Sequence, residues 1–141
     1  MRRITLAALS TALISTTAFA AFAADVAPEG VVFGEDGIVA APITGVAGDP
    51  VAGKAAFVNR KQGNCLACHI NDDASNESFH GEVGPPLNGA GSRWSEEQLR
   101  GIVVNSKLTF EDTIMPSFYR TENGARTMEE FAGMPILTAQ Q

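Results

Sequence analysis

Cys65-Leu66-Ala67-Cys68-His69 is the stretch that decides the reading of this chain. C-x-x-C-H is the attachment signature of a c-type haem. Two thiols add to the porphyrin vinyl groups, and the adjacent imidazole becomes the proximal iron ligand. The thioethers fix one porphyrin edge, so the next residue must offer a ring nitrogen to the metal. Cys65 and Cys68 are the only cysteines in the sequence, which leaves none for a disulfide framework or a four-thiolate cluster. Rival uses of the motif fit less well. A thioredoxin-type redox pair needs a βαβ setting, and no alternating strand–helix pattern surrounds Cys65. A zinc site would have to recruit Cys65, Cys68, His69 and His80, whereas tetrahedral sites place their second ligand pair well away from the first.

Two further features bear on the haem. Downstream lies Gly84-Pro85-Pro86-Leu87-Asn88-Gly89, where the Pro85 carbonyl is placed to accept the His69 Nδ1–H. Such a bond fixes the tautomer and raises ligand basicity. The second axial position has four candidates: Met115, Met128, Met134 and His80. Met115 is favoured, because Pro116 removes a backbone donor and holds the loop extended while aromatic neighbours exclude water. His80 follows His69 by only eleven residues, a short reach to the opposite haem face. His/Met ligation raises the reduction potential. With both faces of the iron occupied, such a centre suits electron transfer and resists oxygen or peroxide.

The N-terminus indicates export. Arg2 and Arg3 precede an apolar run from Ile4 to Ile14, and Ala21-Phe22-Ala23 forms a small-x-small cleavage site. This is the layout of a secretory signal peptide over residues 1–24. The alternative is an uncleaved anchor; no other segment is apolar enough to span a bilayer. Cleavage leaves about 117 residues, one domain by length. It removes two basic residues and no acidic ones, taking the net charge from −6 to −8. That surface repels nucleic acid and anionic lipid and suits a basic patch on another protein.

Residues 25–48 are rich in Gly, Pro and Val, without helical periodicity, and read as an irregular arm outside the helical core. The domain proper spans 49–141. Asp49-Pro50 marks a helix start, and Val51, Ala55 and Val58 give it an apolar stripe; it is expected to end near Lys61. Ser95-Glu96-Glu97-Gln98 is a capping box flanked by Trp94 and Leu99. Leu99, Ile102 and Val103 form the buried stripe of that second helix, which should fade between Asn105 and Lys107. Thr138 and Gln141 form another capping box, with Leu137 as its staple.

Gly53-Lys54-Ala55-Ala56-Phe57, Cys65 to His69, Gly84 to Leu87 and Met115-Pro116 together resemble a class I cytochrome c. Gly63-Asn64 before the motif, Phe79-His80-Gly81, Val83-Gly84-Pro85, Thr113 to Arg120 and Pro135 to Gln141 bring it closer to the SoxX family. SoxX is the monohaem subunit of the SoxAX cytochrome of sulfur oxidation. The similarity runs over residues 50–141, and the Thr113–Arg120 block is its most specific part.

The resemblance implies an all-α class I cytochrome c fold carrying one covalent haem c. Cys65 and Cys68 would attach it, and His69 and Met115 would ligate the iron. It further implies a periplasmic electron-transfer subunit paired with a larger SoxA-like haem protein. That complex joins thiosulfate to a cysteine of a SoxYZ-like carrier, and a small cytochrome takes the electrons onward. Family members continue into a terminal helix that packs across Phe57. The sequence stops where that helix would begin, which reads as a C-terminally truncated domain or one covered by its partner. The competing functions are a free-standing soluble cytochrome c and an open-site haem enzyme or gas sensor.

Overall fold

The computed structural model describes residues 24–122 and 127–141, so the leader through Ala23 lies outside the described residues. Asp49 opens helix α1 (Pro50–Val58) as its sequence implies. Its carboxylate accepts the Val51 and Ala52 amides at 2.8 and 3.1 Å, and Pro50 fills the first helical position. α1 is shorter than expected. The Asn59 side chain accepts the Lys61 amide at 2.9 Å, an Asx turn that replaces the next helical turn. The buried face also differs. Val51 is 79% exposed and Ala55 is exposed, while Ala56 is buried. Ala56 faces the chain returning from the helix, where its carbonyl accepts the Gly63 amide at 3.1 Å.

Helix α2 (Ala90–Arg93) is a single turn leading into α3 (Glu96–Asn105); with α1 these make an all-α fold with no strand among the described residues. α3 begins on the anticipated capping box. Ser95 Oγ accepts the Gln98 amide at 3.3 Å, and Gln98 Oε1 accepts the Ser95 amide at 2.9 Å. Its buried face is Gly101, Ile102 and Val104, whereas Leu99 is half-buried and Val103 is 41% exposed. Trp94 meets Phe110 edge to face, with centroids 5.8 Å apart.

The stripe is rotated because the arm packs there. Val31 and Val39 are buried with Val104 and Tyr119, flanked by Val26, Phe33, Ile43 and Ala139. The residues read as outside the core therefore form part of it. Close approach is permitted at Gly101: a Cβ there would overlap the Gly37 carbonyl. Polar ties accompany the packing. Val39 N–H donates to Glu97 O at 3.2 Å, Arg100 Nη1 to Val39 O at 2.7 Å, and Tyr119 OH to Val26 O at 2.8 Å.

The last described stretch closes over this cluster. Leu137 is buried and its amide donates to Phe118 O at 3.0 Å, and Gln140 Nε2 donates to Ala47 O at 3.0 Å. Both bonds of the Thr138/Gln141 capping box are made, at 3.0 and 3.3 Å. Among the described residues no helix follows the 3-10 turn Glu129–Phe131.

Candidate haem site

Asn64 turns the chain into the motif in the left-handed region (φ 48°), which asparagine tolerates better than most residues. Cys65–Ala67 then form a 3-10 turn, anchored by the buried Leu66. The Cys68 and His69 amides both donate to Cys65 O, at 3.1 and 3.0 Å. Both thiols are free and half-buried. Burial pushes the Cys65 thiol up to about 11, so it stays protonated at neutral pH. No group of three or more His, Cys, Asp or Glu able to hold a metal occurs among the described residues.

The loop from Gly81 to Leu87 is laced to the motif by backbone hydrogen bonds. Gly81 N–H donates to Leu66 O and Gly84 N–H to Cys68 O, both at 2.7 Å, and Leu87 N–H donates to Ile70 O at 2.9 Å. This lacing brings Pro85 to His69. The imidazole Nδ1 lies 2.7 Å from Pro85 O, close enough for a strong N–H···O bond. With Nδ1 protonated, Nε2 alone keeps a lone pair for a metal. Gly84 backs the same ring: a Cβ there would come within 2.7 Å of Nδ1 and 2.8 Å of Nε2. Only glycine leaves room for the imidazole at this point. Two thiols on one turn and an oriented imidazole with a free Nε2 fit a covalently bound haem, which supplies a one-electron iron couple when present.

His80 is used differently. Its Nε2 lies 3.0 Å from Ala74 O, and its Nδ1 accepts the Asn71 amide at 3.3 Å. Both ring nitrogens are engaged by backbone, which leaves none for iron. Met128 and Met134 are 62% and 48% exposed, beside the Glu129–Phe131 turn.

Met115 is half-buried and held from the end of α3. Its N–H donates to Thr113 Oγ1 at 3.2 Å, and its carbonyl accepts Ser106 Oγ at 2.8 Å and Lys107 Nζ at 2.5 Å. Ser117 Oγ donates to Asn105 Oδ1 at 2.8 Å. The sequence reading singled out Met115 and missed this support. The polar run Asn105-Ser106-Lys107 at the helix end was its only visible trace. Gly84 was read as part of a Pro/Gly motif, without its steric role against His69.

A family model for cytochrome c matches residues 50–141. A chain in the crystal structure of SoxXA from P. pantotrophus is 43% identical and superposes with a TM-score of 0.77. The match covers 83% of this chain and 90% of that one. No curated protein sequence matches significantly. Together with Cys65 and Cys68 in the attachment turn, the family match means one covalent haem c. The chain belongs to the cytochrome c family.

Proposed function

We propose that this chain is the electron-transfer subunit of a SoxAX-like complex in the periplasm, exported by a cleaved leader. In this reading Cys65 and Cys68 would hold the haem, and His69 Nε2 and the Met115 thioether would ligate its iron. Pro85 O keeps the His69 Nδ1–H engaged, so the ring neither rotates nor presents the wrong nitrogen. Gly84 backs the ring without crowding it. With a nitrogen and a sulfur ligand both supplied by this chain, the iron would be left to exchange electrons and not to bind a substrate.

The sulfur chemistry belongs to a SoxA-like partner. Joining thiosulfate to a thiol of a SoxYZ-like carrier forms a sulfur–sulfur bond and releases one proton and two electrons. This chain receives those electrons singly and passes them to a small cytochrome. The observation that carries the reading is 43% identity to a chain of SoxXA over 83% of this one, far more specific than the attachment motif alone. The test is co-expression with a SoxA-like subunit, purification through a tag on that subunit, and addition of thiosulfate with the carrier. The expected result is co-purification and haem reduction that needs all three components. A lone monomer, reduced directly by a membrane complex, would overturn the assignment in favour of a free-standing carrier.

A further inference from the structure

The segment after Phe110 returns alongside the exit of α3 in the opposite direction. Phe118 N–H donates to Val103 O at 3.1 Å and Tyr119 N–H to Val104 O at 3.3 Å, using carbonyls that a helix end leaves unpaired. The three residues that follow address alternate positions of the returning segment. Asn105 takes the Ser117 hydroxyl, Ser106 donates to Met115 O, and Lys107 Nζ donates to Met115 O and to Thr113 O at 2.7 Å. Ser106 is wholly buried, and its hydroxyl also lies 3.5 Å from Pro116 O. Both backbone polar groups of Met115 are thus engaged, and the loop is fastened on either side of it.

This fastening matters because a neutral thioether is a weak iron ligand. Its hold depends on how far the loop is prepared in the ligating shape before the bond forms. Donors to a backbone carbonyl restrain the main chain while leaving the side chain free to ligate, and an ammonium donor makes the stronger kind of hydrogen bond. We propose that Ser106 and Lys107 are positioning residues for the Met115 sulfur, preparing it to ligate iron by clamping the Met115 carbonyl. The inference rests on Met115 being the second axial ligand.

The test is made on the oxidised holoprotein, with cyanide as the probe that displaces the thioether. Ser106→Ala and Lys107→Met are compared with the wild type, with Lys107→Arg as the conservative variant and Met115→Ala as the reference. Loss of the clamp should tighten cyanide binding about 10- to 100-fold, the usual effect of removing a residue that orients a ligand. Lys107→Arg should recover most of the wild-type affinity. Lys107 is exposed, so Lys107→Met remains informative if Ser106→Ala fails to fold. Cyanide affinity within twofold of wild type in Lys107→Met would overturn the clamp. Failure of the underlying ligand assignment looks different: the methionine–iron charge-transfer band would survive in Met115→Ala.

Discussion

At the scale of single residues, His69 and His80 show how surroundings assign opposite roles to one side-chain type. His69 has its Nδ1 engaged by Pro85 O and keeps Nε2 free, whereas His80 spends both nitrogens on the Asn71–Ala74 loop. His80→Ala is therefore expected to leave the methionine–iron band intact while lowering holoprotein stability by about 1–3 kcal/mol. Guanidinium unfolding and an absorption spectrum of one preparation check both halves. Gly84→Ala should do the reverse damage. A methyl pressed against the His69 ring costs about 1–3 kcal/mol of overpacking and tilts the ligand. A shifted reduction potential, measured by spectroelectrochemistry, is the expected sign; an unchanged potential would mean the ring has room to move. The attachment motif and Pro85 were legible because both lie in short, chemically distinctive stretches. The fate of His80 was not, since its partners become neighbours only after the loop folds.

Elements show the same division between local and distant causes. All three capping boxes or caps read from sequence are formed, at Asp49, Ser95 and Thr138, because each links residues two or three positions apart. The buried stripe of α1 differs from the expected one, and that of α3 keeps only Ile102. Periodicity identifies an apolar face, but which positions are covered depends on what packs there. For α3 the cover is the arm, admitted by the contact of Gly101 with Gly37, residues 64 positions apart in sequence. Tyr119→Phe tests that docking, since the phenol donates to Val26 O from within the core cluster. Loss of the bond is expected to cost about 1 kcal/mol and to speed proteolytic cleavage within residues 25–48. Equal cleavage rates in the two proteins would show that the arm is held by its apolar contacts alone.

Across the whole molecule, the arm packs on α3 beside the returning Met115 loop, and the attachment turn is tied both to the end of α1 and to its Gly81–Leu87 loop. No helix among the described residues is long and apolar enough to cross a membrane. The fold class could be read from a few short motifs, while the support around Met115 emerged only from the way α3 meets the loop. The account depends on an iron closed by nitrogen on one side and sulfur on the other. The most direct measurement is the absorption spectrum of the oxidised holoprotein beside that of Met115→Ala. The expected result is a methionine–iron charge-transfer band in the wild type that disappears in the variant, with the haem still covalently attached in both. A wild-type spectrum without that band, together with immediate carbon monoxide binding on reduction, would contradict it.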